Sequence, residues 1–188
     1  MARLKKQANI LAIYEAANEE ELREGMSWYA NAHADCLEIS GNLKLAAGIV
    51  AAVSPGLRWE KNIEAARRII DGTPLSGLGR IWGANKEKAM DILEGKDPEK
   101  VLGGNKVRAF YRLIVQPWNK EEVCVDGHAY CIWLGKKLPT DEIPQISNHT
   151  YACIWGDYVT VAGALGILPH QLQAVTWLTW RRIHGVTK

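Results

Sequence analysis

The chain is poor in net charge, in phenylalanine and in cysteine. Its 23 Lys/Arg and 21 Asp/Glu leave a formal charge of +2 over 188 residues, too small an excess to argue for a polyanionic partner by itself. That excess is unevenly spread. Residues 1–99 hold 13 Lys/Arg against 15 Asp/Glu, while residues 100–188 hold 10 against 6, which leaves room for a local basic face in the second half. The four cysteines (Cys36, Cys124, Cys131, Cys153) fit neither a C-x-x-C metal pair nor a disulfide framework. Cys124 and Cys153 sit in apolar runs, so buried free thiols in a reducing cytoplasm are expected, with no metal and no cofactor. Met1–Lys6 is not followed by a run apolar enough for a signal peptide, and no continuous run of 18 apolar residues exists. A soluble cytoplasmic protein without a membrane span is the expectation. Repeats and low-complexity tracts are absent.

A single Phe stands against eight Trp. Indoles bury large areas but need a partner for the N–H, so some are expected along a cleft rather than in dry core. The length suits one domain, or two lobes sharing a core.

Helical periodicity runs through most of the chain. Residues 4–16 read as a short helix. Asn18 then caps an acidic turn (Glu19, Glu20, Glu21), read as a solvated helix start that suits the dipole, and Leu22, Met26, Tyr29, His33 and Cys36 follow on one stripe. Leu43–Val53 is apolar almost all round, broken by Lys44 and Gly48, and belongs at the centre of the protein. It ends at Ser54-Pro55-Gly56, because the residue before a proline is pushed out of the helical region. The next helix puts Trp59, Ile63, Ala66 and Ile70 on one face. After a Gly-rich loop, Asn85 is expected to cap a helix through Ala89, Ile92 and Leu93, and Asp97-Pro98 opens another turn. Gly103-Gly104-Asn105-Lys106 precedes a helix with Val107, Phe110, Tyr111 and Ile114. Residues 136–148 read as a loop, and Tyr151, Ile154, Tyr158, Val161 and Leu165 as a helix. The last helix starts at Pro169, with Leu172, Val175, Thr179 and Ile183 on one stripe and Trp177 and Trp180 on another. The fold class is all-α.

One stretch concentrates the chemistry. Val123–Gly135 reads V-C-V-D-G-H-A-Y-C-I-W-L-G: a short β-type run that delivers Asp126 to the start of a buried helix. Asp126 has two readings, a helix N-cap or a rigid carboxylate able to stabilise positive charge or orient a nucleophile. His128 either assists or packs beneath the turn. Lys106, beside the Gly pair, is either a phosphate contact, a nucleophile or a solvated helix start. Gly103 and Gly104 either relieve a tight turn or expose backbone N–H groups to a phosphate.

Taken together, Leu102-Gly103-Gly104, Lys106 and Ala109, followed by Val125-Asp126 and His128, resemble the hairpin and aspartate motifs of the helix-hairpin-helix base-excision DNA glycosylases. Val53-Ser54 is similar to that superfamily's L-S helix end. The likeness covers about residues 43–135 and is to a divergent member of phage or bacterial type. It implies an all-α, two-lobed bundle with a cleft between lobes, within a single domain over 1–188. Residues 43–135 would form the hairpin-containing lobe, and 1–42 with 136–188 the second. It also implies a monomeric enzyme that binds DNA, flips a damaged or modified base and cleaves its N-glycosidic bond. Asp126 would be the reacting carboxylate and Lys106 a lyase nucleophile. Gly103, Gly104, Asn105, Ser54, Arg58 and Arg108 would contact DNA, with Trp59 and His128 at the base. No cysteine cluster matches the iron–sulfur site of one branch of the superfamily. The alternative is a DNA-binding or thymine-hypermodification protein on the same scaffold.

Overall fold

The computed structural model describes residues 2–78, 81 and 83–186, which form ten α-helices and no strand. The chain parts into two compact units: residues up to Tyr29 together with those from Trp118 onward, and Ala30–Pro117. Residues 118–135, expected with the hairpin lobe, instead group with the terminal helices, because Val123, Val125, Ala129 and Ile132 bury in one cluster with Ile10 and Ile154.

The Ala30–Pro117 unit is built around α3 (Leu43–Val53), whose residues from Ala46 to Val53 are all buried. The side chain of Asn42 starts it by accepting from the Leu45 N–H at 3.2 Å. Packed round it are α4 (Trp59–Ile70), α5 (Gly83–Leu93), α6 (Pro98–Val101) and α7 (Asn105–Val115). This explains the break at Gly48: a Cβ there would stand 2.9 Å from Pro98 Cγ on α6. Helix α4 buries Asn62, Ala65, Ala66 and Ile69, a stripe shifted from the expected one. Its Ala pair permits close packing, and Trp59, Ile63 and Ile70 stay half-buried at the margins. Helix α5 begins at Gly83, so Asn85 lies inside it rather than capping it. Asp97 caps α6 as expected, accepting from the Glu99 N–H at 3.1 Å.

The other unit comprises α1 (Ala2–Glu15), the first turns of α2 (Glu19–Ile39), α8 (Gly127–Leu134), a 3₁₀ turn at Thr140–Glu142, α9 (Asn148–Leu165) and α10 (Pro169–Ile183). Asn18 and Glu21 form a reciprocal capping box at the start of α2: the Glu21 N–H donates to Asn18 Oδ1 at 2.9 Å, and the Asn18 N–H to Glu21 Oε2 at 3.0 Å. Glu21 is therefore not part of a solvated run. It is buried, and accepts from Arg182 Nε at 2.6 Å and from the Thr179 hydroxyl at 3.2 Å. Burial alone would raise its carboxyl; the bonds from Arg182 and the Asn18 backbone outweigh that and hold it below the usual range.

Asp157 plays the matching part on α9. Its buried carboxylate accepts from Arg3 Nε (2.9 Å), Gln7 Nε2 (2.8 Å) and the Trp133 indole N–H (2.8 Å), joining α1, α8 and α9. Cys36, Cys124 and Cys131 are buried free thiols; Cys153 is only half-buried, 3.7 Å from His149 Nε2. Ile183, expected on the buried stripe of α10, is 45% exposed at the helix end. Among the described residues no single helix is long and apolar enough to cross a membrane. Two helix pairs reach that composition only jointly, across bends of 112° and 99°.

Candidate functional site

Val123, Cys124 and Val125 are buried yet lie in no sheet, so their backbone groups need other partners. Tyr151 of α9 supplies them: its hydroxyl donates to the Val123 carbonyl at 2.8 Å and accepts from the Val125 N–H at 3.3 Å. The run is thus clamped by a side chain where a strand would use a neighbour. It ends at Asp126, which has extended backbone and caps α8: Oδ1 accepts from the Ala129 N–H at 2.8 Å. The cap uses one carboxylate oxygen. Among the described residues Oδ2 has no hydrogen-bond partner, and the residue is half-buried. The cap therefore leaves the second carboxylate oxygen without a partner among the described residues.

The surroundings of this turn are aromatic and polar. Burial pushes the Tyr29 phenol far above its usual range, and the charges of Cys124 and Asp126 add to it. The Tyr29 hydroxyl donates to Gln173 Oε1 across 3.5 Å. His128, on the first turn of α8, meets Trp177 of α10 edge-on at 6.5 Å. Trp28 meets the same indole edge-on, also at 6.5 Å, and the Arg181 guanidinium lies 4.3 Å from its centroid. Of the two residues nominated for the base, His128 is thus in the unit that holds Asp126. None of Tyr29, Trp28, Gln173, Trp177 and Arg181 was nominated as a site residue from sequence; Tyr29 and Trp177 were placed only on helix stripes. Gln173 and Trp177 are four residues apart on one helix face, but a polar residue beside an indole signals a site only once the helix is known to be buried there.

The remaining nominees lie in the Ala30–Pro117 unit. Gly104 is the N-cap of α7 with φ 75°, a conformation suited to glycine, so the Gly pair does serve a tight turn. Lys106 is exposed on the first turn of α7. Lys88 Nζ of α5 stands 3.5 Å from where a Gly103 Cβ would be, placing a second ammonium beside this turn. Arg108 Nε donates inward to the Leu102 carbonyl at 2.8 Å, and Arg112 forms a two-pronged pair with Glu99 at 2.7 and 2.8 Å. Asn105 opens α7. Ser54 donates to the Ala51 carbonyl at 3.0 Å, and Arg58 is exposed just before α4. The Trp59 N–H donates to Asp35 Oδ2 at 2.9 Å and its ring meets Phe110 edge-on at 6.4 Å. Trp59 therefore stands with Asp35 and Phe110 within the Ala30–Pro117 unit.

Among the described residues no group of His, Cys, Asp or Glu is arranged to hold a metal ion. What the Asp126 turn offers is a fixed carboxylate, an imidazole and aromatic faces, a set suited to charge stabilisation and orientation of a nucleophile. No curated protein and no solved structure matches the chain. Residues 1–184 match the model of a family of unknown function, DUF7178, and the chain belongs to that family.

Proposed function

We propose that the chain is a DNA glycosylase-like enzyme that extrudes a damaged or modified base and cleaves its N-glycosidic bond. The observation that supports this reading is Asp126: a carboxylate delivered by a clamped, buried run, capping α8 through Oδ1 and with no partner for Oδ2 among the described residues. As the bond to the base breaks, the sugar gains oxocarbenium character. A rigid carboxylate stabilises that charge and orients the attacking water without reorganising. The Gly104 turn, with the α7 N-terminus, Lys106 and Lys88, is the phosphate contact in this reading. Exposure of Lys106 favours that role over a Schiff-base nucleophile.

The test is incubation with duplex oligonucleotides carrying a panel of modified bases, scored for abasic sites, with borohydride trapping in parallel. Abasic product without trapped covalent complex is the expected result. Salt-sensitive binding with no abasic product across the panel would remove the excision reading and leave a DNA-binding module.

A further inference from the structure

Helix α10 buries a polar stripe where a core helix ordinarily presents apolar side chains. His170, Gln173 and Trp177 recur at positions i, i+3 and i+7; the first two are 2% and 6% exposed, and Trp177 is half-buried. Opposite stands α2, brought close at Gly25, where a Cβ would lie 2.6 Å from the Val175 backbone. One turn on from Gly25, Tyr29 packs edge-on to His170 at 5.3 Å and reaches Gln173 at 3.5 Å. Trp28 and His128 both meet Trp177 edge-on.

Gln173 is the telling member. A side-chain amide has two donors and an acceptor with two lone pairs, and burying it without partners is costly. Here it makes one contact at the outer limit of a hydrogen bond; its amide nitrogen has no acceptor among the described residues and is not sealed from solvent, so a ligand edge can reach it. Packing alone would be served better by leucine. His128, on the first turn of the helix that Asp126 caps, meets Trp177, so the stripe reaches the helix start that carries the proposed reacting carboxylate.

We infer that Gln173, one turn before Trp177 on α10, where Trp28 and His128 meet that indole, is a recognition site for a nucleobase. The amide donor and acceptor pair with a heterocycle edge presenting one acceptor and one N–H, and the indoles supply the stacking surface. The site takes a planar, uncharged heterocycle. This rests on the glycosylase reading for its setting, but binding can be measured without catalysis.

The experiment titrates free uracil, thymine, adenine and guanine separately into the full chain, following Trp fluorescence. Wild type, Gln173→Leu, Trp177→Phe and a Trp155→Phe control are compared, with melting curves to confirm folding. Saturable quenching by at least one base is expected, retained in Trp155→Phe. The affinity should fall about 10-fold in Gln173→Leu, the scale of one lost hydrogen bond with its orphaned partner. In Trp177→Phe most of the quench should disappear. No saturable quenching by any of the four bases, or undiminished affinity in folded Gln173→Leu, overturns the site. If Gln173→Leu binds weakly while Asp126→Asn still excises, the recognition site stands and the catalytic reading fails. If Asp126→Asn is inactive and Gln173→Leu binds normally, the reverse holds.

Discussion

The two units bury different kinds of side chain. In Ala30–Pro117 the core is alanine and small aliphatic residues around α3, and Asn62 is its one buried polar residue among those described. The other unit buries Glu21, Asp157, His170, Gln173, Thr176 and Thr179. A small-residue core allows helices close approach and a rigid frame. A core laced with carboxylates, amides and hydroxyls is costly unless its groups are satisfied or reserved for a ligand. Two of these, Glu21 and Asp157, are fully engaged in bonds between elements. Gln173 is not. On the proposed function, the contrast separates a small-residue frame from the unit that holds the reacting carboxylate.

Substitutions can break that contrast. Asp157→Ala should have the largest effect, about 3 kcal/mol, since it strands the half-buried Trp133 N–H and Gln7 amide and releases Arg3; urea unfolding measures it. Gly25→Ala should cost about 1–3 kcal/mol by forcing α2 away from α10, and should weaken base binding along with stability. Tyr151→Phe removes only the hydroxyl that clamps Val123 and Val125. The expectation is about 1 kcal/mol of stability together with faster amide exchange at Val125 and a lower rate of base release. Asn62→Leu is the opposite case. The buried Asn62 Oδ1 has no partner among the described residues, so replacing it should leave the melting temperature unchanged or raise it slightly.

Acid should distinguish the units as well. Burial would raise the Asp157 carboxyl, but hydrogen bonds from Trp133, Arg3 and Gln7 hold it below its ordinary value, as Arg182 does for Glu21. Groups depressed in the folded state contribute stability above their unfolded pKa, about 3.9 for Asp and 4.3 for Glu. They lose it as pH falls through the lower folded values. Amide exchange should therefore accelerate first in α1, α8, α9 and α10 on acidification, while α3 stays protected. Asp157→Asn should flatten that pH dependence. Loss of α3 protection at the same pH would contradict the division.

Much of this was legible in the residues. Apolar periodicity marked α3 and its centrality, Asp97-Pro98 announced α6, and Val123–Gly135 announced both the capped helix and the carboxylate. The acidic run before α2 misled, because Glu21 is indistinguishable from its neighbours until Arg182 and Thr179 arrive from the far end of the chain. The α4 stripe shifted because Ala65 and Ala66 weigh little in a hydropathy pattern, although small size is what lets α4 sit close to α3. The polar stripe of α10 was invisible for a related reason. Gln173 in sequence is an ordinary surface residue, and only the approach of α2 at Gly25 makes it a buried one. Trp59 drew notice as an indole able to stack on a base, whereas the indole that meets His128 is Trp177, about fifty residues later in the chain.

The most direct test of the chemistry is single-turnover base release by Asp126→Asn, on whichever duplex the wild-type protein cleaves. Asparagine caps a helix about as well as aspartate, so the variant should keep its fold and melting temperature while losing the negative charge. Base release slower by at least about 100-fold with unchanged DNA affinity is the expected result. Release at the wild-type rate would show that Asp126 is a helix cap and nothing more.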